Sequence, residues 1–579
     1  MSSPTTDKDL FRRLLPFLRP DAGLYTAALA LAPVTALLVV AQPILLKSVI
    51  DDHVMQGDAP GAQAAALWYL AAVVGAFTVQ VGHQLSLSFA ASRTITHVRN
   101  RIYRHTLGLG QSYFDKEPTG RLLTRATNDV EALGETLTAG AITILLDALQ
   151  VIGVLAAMFW LDWRLTLVLL LVAPPLAIIV NILRTKLRTL YIEIRTSLSE
   201  LNAYLSERLT GVETVQLYRD EERSLALFDV RLHRYRDANI RTNVFDALLY
   251  AVVDGLSSVT MALMLWYGAQ GSISEGITAG LLAAFLDYIA KLFRPVQEFS
   301  QKIAVIQRAV AALQKIFGLL DVHERVTGGT KQPASVGRIS LRELTFAYGD
   351  GPTILHGITL DVAPSEVLAI VGRTGSGKTT IGKVLTAAYG GYEGSVLLDG
   401  HELAELDLAH ARQKIGAVRQ DVQLFPGTVR FNLTMGREIP DSTIHTALDL
   451  AHATEIVARL GGLDGVIEQQ GRNLSAGEAQ LLSFARTMIF DPDIVVLDEA
   501  TASVDSLTEA KLQAATEAIL STKTTLVIAH RLSTIVNADR IAVLDAGEVI
   551  ELGRHEELLA AGGPYARLFE QQFAEVQST

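Results

Sequence analysis

Apolar residues are concentrated in the first half of this chain, in long runs rather than in short alternations. A helix that crosses a bilayer needs roughly 20 mostly apolar residues, and six segments reach that length within a few residues at each end. These predicted membrane spans are residues 24–49, 68–89, 139–161, 165–182, 244–267 and 276–293. The third and fourth are separated only by Asp162-Trp163-Arg164, which predicts a tight helical hairpin.

Beyond about Val336 the pattern changes to short apolar runs between turns marked by Gly and Asp. This pattern is typical of a soluble α/β domain. We therefore predict four parts: an interfacial N-terminal helix at 1–21, a transmembrane domain at 22–320, a linker at 321–337 and a soluble domain at 338–579. The N-terminal helix carries basic residues among Leu and Phe without a cleavage site, so it is not read as a signal peptide.

The charges between the spans predict the orientation of the chain. Residues 51–66 and 268–275 contain no Lys or Arg, whereas residues 92–125 and 184–241 are rich in Arg. By the positive-inside rule, the basic loops, both termini and the soluble domain are cytoplasmic. The basic loops are longer than a connection requires and show helical apolar spacing, so the membrane helices are predicted to extend well into the cytoplasm. The chain is thus predicted to be a multi-pass protein of the cytoplasmic membrane.

Ionisable side chains inside the spans admit two interpretations. The acidic ones are Asp147, Asp246, Asp254 and Asp287, and His83 and Gln84 add polar groups in the second span. Because a carboxylate in hydrocarbon is costly, each should face a cavity, a partner or water. They either line a pathway for cationic cargo or pair with neighbours such as Gln150, Lys291 or Arg294. Pairing is favoured for Asp246 and Asp287, near the cytoplasmic ends, and both interpretations stay open for Asp147 and Asp254.

Composition removes several functional classes. The formal net charge is −11, and no basic face large enough to neutralise many phosphates lies outside the loops beside the spans, so nucleic acid is not a predicted partner. The chain has no cysteine. Disulfides, thiolate metal sites and thiol nucleophiles are therefore excluded.

A glycine-rich segment carries the strongest chemical signal. Residues 372–379, Gly-Arg-Thr-Gly-Ser-Gly-Lys-Thr, follow the apolar run 367–371 and lead into a helix-like segment. Glycines let backbone N–H groups close around a phosphate chain, Lys378 adds a cation, and the Thr379 hydroxyl can ligate Mg²⁺. A glycine turn that merely caps a helix is the alternative, but the full spacing between a strand and a helix disfavours it. The segment predicts a nucleotide-phosphate site.

A second signal is the apolar run 494–497, which ends in Asp498-Glu499. Asp498 is predicted to hold the Mg²⁺ shell and Glu499 to polarise the attacking water. Further candidates occur in a fixed order, although each alone would be an ordinary fold residue. They are Tyr348, 24 residues before Gly372; Gln420, after a strand-like run; Ser475, the predicted N-cap of a helix within Leu474-Ser-Ala-Gly-Glu-Ala-Gln480; Asp505; and His530.

With these motifs in this order, the chain resembles ATP-binding cassette (ABC) exporters of the multidrug and lipid-exporter class over essentially its whole length. Such exporters carry one membrane half and one nucleotide-binding domain per polypeptide. Residues 113–129 are similar to the family's first intracellular loop, and 207–218, around Gly211, to its second. The resemblance implies that both loops contain coupling helices. The predicted fold is an α-helical membrane domain of six transmembrane helices with long cytoplasmic extensions, followed by an α/β P-loop ABC ATPase domain.

The resemblance also implies the cofactors ATP and Mg²⁺ and a role for each candidate residue. The residues expected to act in catalysis are Glu499, His530 and Lys378. The residues expected to contact the nucleotide are Tyr348, Gly372, Arg373, Thr374, Gly375, Ser376, Gly377, Lys378, Thr379, Thr380, Gln420, Ser475, Gly477, Asp498 and Asp505. The residues expected to bind Mg²⁺ are Thr379, Gln420 and Asp498. Because Ser475 and Gly477 point at ATP held by the opposite subunit, one chain cannot complete a site.

Two departures from the family pattern bear on the partner subunit. The usual Leu-Ser-Gly-Gly-Gln signature has Ala476 and Glu478 here, and Gln469 replaces the glutamate expected two residues before Gly471. An intact phosphate loop with a modified signature is similar to the catalytically competent member of a heterodimeric exporter. A second half-transporter is therefore the predicted partner, with a heterodimer preferred and a homodimer open.

The predicted function is ATP-driven export of hydrophobic or amphipathic small molecules, lipids or peptides by alternating access, with membrane lipid as a further partner. The alternative function is that of an ATP-gated channel or a regulatory membrane protein of the same fold. Within the exporter class, the alternative to a drug exporter is a lipid flippase. A soluble ATPase has no place for six spans. An importer would keep its membrane and ATPase parts on separate chains.

Overall fold

The computed structural model describes residues 7–271, 277–498, 506–529 and 531–573. Contacts divide the chain into two compact units. The first comprises the residues up to Leu107 together with Gly120–Asp321, and the second comprises Gly108–Thr119 together with the residues from Val322 onwards. The short segment Gly108–Thr119 therefore groups with the nucleotide-motif half of the chain.

Helices are present in both units and are numbered in chain order. They are α1 Asp7–Leu18, α2 Ala22–Ser48, α3 Ala59–Leu107, α4 Gln111–Lys116, α5 Thr119–Thr124, α6 Val130–Ala139, α7 Ala141–Leu161, α8 Trp163–Thr210, α9 Val212–Leu217, α10 Glu221–Gly271, α11 Ala279–Leu320, α12 Lys378–Leu385, α13 Leu408–Lys414, α14 Val429–Thr434, α15 Asp441–Leu450, α16 Thr454–Leu460, α17 Ala476–Phe490, α18 Ser506–Leu520, α19 Leu532–Val536, α20 His555–Ala560 and α21 Pro564–Phe573.

The strands of the described residues lie in the second unit. They are β1 Ile339–Ala347, β2 Thr353–Val362, β3 Val367–Val371, β4 Glu393–Leu398, β5 His401–Glu402, β6 Ile415–Val418, β7 Gly427–Thr428, β8 Val466–Ile467, β9 Ile494–Asp498, β10 Thr524–Ile528, β11 Arg540–Asp545 and β12 Glu548–Gly553.

The first unit is helical. Six segments of its described residues are long and apolar enough to cross a membrane: Asp7–Val54, Ala59–Leu107, Thr119–Leu161, Trp163–Thr210, Glu221–Trp266 and Lys302–Leu320. The first five contain the first five predicted spans, apart from the last residue of the fifth. The sixth lies on α11, which also contains residues 279–293 of the sixth predicted span. Helix α8 has 48 residues and α10 has 51, about 70 Å at 1.5 Å per residue, so each is about twice as long as the bilayer core is thick.

The predicted tight hairpin between the third and fourth spans has a local cause. Helix α7 ends at Leu161 and α8 begins at Trp163, so Asp162 alone connects them. The Asp162 carboxylate accepts hydrogen bonds from the backbone N–H groups of Arg164 and Leu165, at 2.8 and 2.9 Å. It therefore caps two of the donors that the start of α8 leaves unpaired.

Three of the four aspartates in the predicted spans have partners in the structure. Asp147 forms an ion pair with Lys302, the Asp287 carboxylate lies 2.9 Å from Lys291 Nζ, and Asp246 accepts a hydrogen bond from the Tyr191 hydroxyl at 2.5 Å. These contacts support the pairing interpretation, although the partner of Asp147 is none of the three neighbours named from the sequence. Asp254 lies on the exposed surface of the chain.

The ion pair of Asp147 gives a stability prediction. The side chains of Lys302 and Asp147 are only 14% and 22% exposed, and Lys302 also contacts Glu298 at 3.1 Å. Replacing Asp147 by Asn removes one of two carboxylates from a largely buried ammonium. We expect a loss of about 1–3 kcal/mol in stability, measured as a lower Tm of the purified protein in detergent. The matched Asp254→Asn variant should keep the wild-type Tm, and equal Tm values for the two variants would contradict the prediction.

The second unit is built on a six-stranded sheet with the order β12-β11-β3-β10-β9-β6. The five strands from β11 to β6 are parallel, and β12 pairs antiparallel with β11. A four-stranded antiparallel sheet, β2-β1-β4-β5, and the pair β7-β8 complete the strands of the described residues. Strand β3 is apolar throughout because both faces are covered: Val367, Ala369 and Val371 face one core cluster, and Leu368 and Ile370 face the other.

Candidate nucleotide-binding site

The parallel strands bring the predicted motifs to one edge of the sheet. Strand β10 lies between β3 and β9, with Ile528 opposite both Ile370 and Asp498. Strand β6 follows, with Val418 opposite Leu497. Because the carboxyl ends of parallel strands meet at the same edge, the loops after β3, β9 and β6 all begin there.

Three predicted site residues lie outside the described residues: Glu499, Asp505 and His530. Glu499 comes directly after Asp498, the last residue of β9, and His530 comes two residues after the end of β10. Glu499 and His530 thus follow, in chain order, strands that end at the site. The roles of all three residues remain predictions.

The glycine-rich segment forms the turn between β3 and α12. Gly375 and Gly377 have φ values of 86° and 103°, in the left-handed region that favours glycine. A Cβ atom at Gly372 would lie 2.1 Å from the backbone oxygen of Leu544. The glycines are thus required by backbone conformation at two positions and by close packing at the third.

Lys378, the first residue of α12, lies within this turn. Its side chain is buried, with the residue 6% exposed, and Nζ donates to the backbone oxygens of Gly372 and Arg373, at 2.7 and 2.9 Å. Burial lowers the pKa of Lys378, and the nearby carboxylate of Asp498 opposes that effect. The fold therefore holds an ammonium group where a phosphate chain would meet the turn.

Other groups of the segment also fit a triphosphate. Among the described residues, the buried Ser376 hydroxyl has no hydrogen-bond partner, so it has a free donor for an anionic oxygen. Thr379 is exposed in the first turn of α12, and Arg373 and Thr374 are exposed in the turn before it. A helix start, a cation and hydroxyl donors together suit the binding of phosphate oxygens.

Tyr348 is positioned by the second core cluster. Its ring makes edge-on contacts with the rings of Phe346 and Tyr389, with centroids 5.0 and 5.1 Å apart, and its hydroxyl lies 3.1 Å from Thr380 Oγ1 on α12. Lys383 Nζ lies 5.5 Å from the ring centroid. The contacts fix the ring plane beside the helix that begins at the phosphate turn, as a base-stacking role requires.

Gln420 is exposed after β6, and two residues that sequence reasoning missed hold its loop. Asn432 exchanges hydrogen bonds with the backbone of Phe425, at 2.8 and 2.7 Å. Arg486 Nε donates to the backbone oxygen of Asn432 at 2.8 Å, and Arg486 Nη1 and Nη2 each donate to the backbone oxygen of Gln423 at 3.3 Å. Burial lowers the pKa of Arg486. Arg486 could have been found from the sequence, because it is a lone arginine in the apolar part of α17 and a buried cation needs hydrogen-bond partners.

Helix α17 begins at the predicted position. Ser475 is its N-cap, with Oγ accepting from the Glu478 N–H at 3.2 Å, while the Glu478 carboxylate accepts from the Ser475 N–H at 2.8 Å. This reciprocal pair is a capping box. The other Glu478 oxygen lies 2.6 Å from Arg459 Nη2 on α16. The negative charge of Glu478, which departs from the usual signature, is therefore bound by the Ser475 backbone and by Arg459, a residue that sequence reasoning missed. Gly477, the preceding residue, is buried.

This arrangement predicts different effects for the two partners. Glu478→Gln keeps an acceptor for the Ser475 N–H and loses only a partly exposed ion pair, so we expect a loss of less than about 1 kcal/mol in stability and an ATPase rate within about threefold of wild type. Arg459→Ala removes the cation that balances the Glu478 charge near the helix start. We expect a larger loss of ATPase activity, which the double variant restores. Equal rates for the single variants would contradict this expectation.

Comparisons with known proteins agree with the motifs and the fold. A family profile described as "ABC transporter transmembrane region" matches residues 25–296, and one described as "ABC transporter" matches residues 355–502. An uncharacterised ABC transporter ATP-binding protein of Bacillus subtilis is 35% identical over 489 residues, covering 83% of this chain and 80% of that protein. The ATP-dependent lipid A-core flippase of Yersinia pestis is 32% identical over 588 residues, covering 98% of this chain and 100% of the flippase.

A solved structure confirms the fold. The structure of a bacterial Atm1-family ABC exporter with ATP bound matches with a TM-score of 0.76 and 26% sequence identity, over 95% of this chain and 98% of that one. The predicted family and fold class are thereby confirmed. The chain belongs to the ABC transporter family, as a multi-pass membrane protein whose transmembrane region is fused to a nucleotide-binding ATPase domain.

Proposed function

We propose that this chain is one half of an ATP-driven exporter that moves amphipathic, lipid-like cargo outward across the cytoplasmic membrane by alternating access. The observation that carries the proposal is the full-length similarity to a lipid A-core flippase, which spans both the membrane and the ATPase parts. The phosphate turn with its buried Lys378 supplies the ATP-binding element that such transport needs.

The paired charges of the first unit support lipid over cationic cargo. Asp147 and Asp287, two of the carboxylates considered for a cation pathway, contact Lys302 and Lys291. A paired carboxylate has less attraction left for a cationic substrate, because its charge is already compensated. We therefore favour a lipid-like amphiphile. Drugs and peptides remain outcomes that a transport assay distinguishes.

Phosphoryl transfer from ATP to water needs positioning and charge stabilisation more than covalent chemistry. In this proposal Lys378 binds the β- and γ-phosphate oxygens, and Tyr348 stacks on the adenine. Thr379, Gln420 and Asp498 are the residues that would hold Mg²⁺, which would supply neutralisation of the phosphate charge. Glu499 orients the attacking water.

The remaining predicted residues act at the transferred phosphoryl group and across the dimer. His530 donates towards the γ-phosphate, and the N-terminus of α17, with Ser475 and Gly477, faces ATP held by the opposite subunit. Asp505 is retained as a nucleotide-site residue on the resemblance alone. A positive helix end suits this task because its unpaired N–H groups bind phosphate oxygens.

The working unit in this proposal is a dimer of two half-transporters, with a heterodimer preferred. That preference rests on Ala476, Glu478 and Gln469. The ion pair of Glu478 with Arg459 weakens one of these three arguments. ATP hydrolysis by the purified chain alone, at a rate of order 1 s⁻¹ or more, would favour the homodimer.

The domain boundaries and the orientation predicted from the sequence are part of the proposal. The interfacial helix at 1–21, the membrane domain at 22–320, the linker at 321–337 and the ATPase domain at 338–579 are retained, with both termini and the ATPase domain in the cytoplasm. The absence of Lys and Arg from residues 51–66 supports this orientation.

Reconstitution tests the function. The purified protein in liposomes that carry a fluorescent phospholipid should, when ATP is added outside, move the probe to the inner leaflet, where dithionite cannot quench it. This movement should require Mg²⁺. ATP hydrolysis without probe movement would overturn the lipid assignment. An ATP-dependent ion conductance in a planar bilayer would favour the channel alternative.

A further inference from the structure

The segment Gly108–Thr119 is bound to the nucleotide-binding unit, although it lies between two membrane helices in the sequence. Within it, Tyr113 of α4 is buried. The Gly110 N–H donates to the backbone oxygen of Glu324 at 2.7 Å, and Lys116 Nζ lies 3.6 Å from the Glu324 carboxylate. Motion of the segment must therefore be shared with the second unit.

One side chain joins this segment to the interior of the nucleotide-binding unit. Tyr389 is 4% exposed, and its hydroxyl donates a hydrogen bond to Asp115 of α4. The other Asp115 oxygen accepts from Gln111 Nε2 at 3.2 Å. Burial and the neighbouring Asp115 carboxylate raise the pKa of Tyr389, so its hydroxyl stays protonated at neutral pH and remains the donor.

The ring of Tyr389 contacts the proposed base-stacking residue. Its centroid lies 5.1 Å from that of Tyr348 and 5.9 Å from that of Phe346, both in edge-on geometry. Lys383 Nζ lies within 5.5 and 5.7 Å of the Tyr348 and Tyr389 centroids. Close-packed rings cannot shift independently. Tyr348, Tyr389 and Asp115 thus form a continuous chain of contacts from the base position to the segment.

A nearby tyrosine makes the same kind of bond without this connection. The hydroxyl of Tyr392, three residues later, donates to the Glu402 carboxylate at 2.9 Å. Glu402 belongs to β5 in the four-stranded sheet. Tyr392 therefore offers a matched control for loss of a partly buried tyrosine-to-carboxylate hydrogen bond.

We propose that Tyr389 is a positioning residue that transmits occupancy of the base site at Tyr348 to the segment Gly108–Thr119 through its hydrogen bond to Asp115. This inference rests on the proposed function, since it requires a nucleotide base at Tyr348. A base stacked on Tyr348 restricts that ring, the ring restricts Tyr389, and the hydroxyl restricts α4. Nucleotide binding is then sensed by its base as well as by its phosphates.

Hydrogen exchange followed by mass spectrometry of the full-length protein in nanodiscs tests the transmission without a known cargo. In wild type, ATP should slow exchange in peptides covering both the phosphate turn 372–379 and the segment 108–119, whereas inorganic triphosphate should protect the turn alone. In Tyr389→Phe, which keeps the ring, ATP should still protect the turn. The slowing at 108–119, about three- to tenfold in wild type, should fall below about twofold, as expected for loss of one hydrogen bond.

Two further variants separate transmission from general damage. Tyr392→Phe should respond to ATP as wild type does, and Asp115→Ala combined with Tyr389→Phe should lose no more than Tyr389→Phe alone. The inference is overturned, while the proposed function stands, if exchange at 108–119 in Tyr389→Phe still slows with ATP as in wild type. An equal loss of this slowing in Tyr392→Phe has the same consequence. Absence of ATP protection at 372–379 in wild type overturns the proposed nucleotide site, and the inference falls with it.

Discussion

Replacing Lys378 by alanine is expected to reduce ATP hydrolysis by about 10²–10³-fold, the effect of removing one preorganised charge-stabilising donor. The Lys378 ammonium is buried and is held by two backbone oxygens of the turn, so its removal takes a preorganised cation out of the turn. ATP affinity should fall as well, because the proposed role of Lys378 includes binding the phosphates before the reaction begins. Steady-state ATPase assays and equilibrium binding of a fluorescent ATP analogue measure the two effects.

The control for this prediction is another lysine of the same unit. Lys331 forms an exposed ion pair with Glu405 at 2.7 Å, so Lys331→Ala should leave hydrolysis within about twofold of wild type, as for surface pairs in general. A Lys378→Ala protein that binds and hydrolyses ATP as well as the Lys331→Ala protein would show that the turn does not hold the phosphates.

Replacing Glu499 by glutamine should slow turnover by about 10²–10⁴-fold while ATP binding is kept, the expected effect of losing a general base. The amide occupies nearly the same volume but cannot accept a proton from the attacking water. Asp498, one residue earlier in the chain, is the last residue of β9. Single-turnover hydrolysis beside ATP binding in the assembled dimer separates the two steps.

A glutamate a short distance along the chain serves as the matched control. Glu509 is exposed in the first turn of α18, and Glu509→Gln is expected to turn over ATP as wild type does. Near-normal hydrolysis by Glu499→Gln would refute its assignment as the residue that activates water and would point to another base.

Coupling through Tyr389 would add a route to those that begin at the phosphates. Gln420 lies in a loop that Asn432 and Arg486 attach to α14 and α17, so movement of that loop and of the signature helix is mechanically linked. The Tyr348–Tyr389–Asp115 contacts involve other elements, namely the second core cluster and α4. The two routes can be separated experimentally, since they share no residue.

Much of the fold and of the nucleotide site could be read directly from the sequence, because those features depend on neighbours in the chain. Six apolar runs of sufficient length predict membrane helices, since every backbone polar group in lipid must be satisfied within the segment. The phosphate turn is equally local: Gly375 and Gly377 adopt left-handed conformations within eight residues that also include Lys378. The Asp162 cap between α7 and α8 and the Ser475 cap of α17 follow the same logic.

The partners of charged and aromatic side chains were decided only by the tertiary structure. Lys302 pairs with Asp147, 155 positions away, Arg459 with Glu478, and Tyr389 with Asp115, 274 positions away. No local pattern contains this information, because the packing of whole helices and sheets determines which side chains meet. The sequence by itself determined the family, the spans and the chemistry of the phosphate turn; the tertiary structure decided which charges are neutralised and which segment the nucleotide site contacts, since both depend on distances that chain order does not specify.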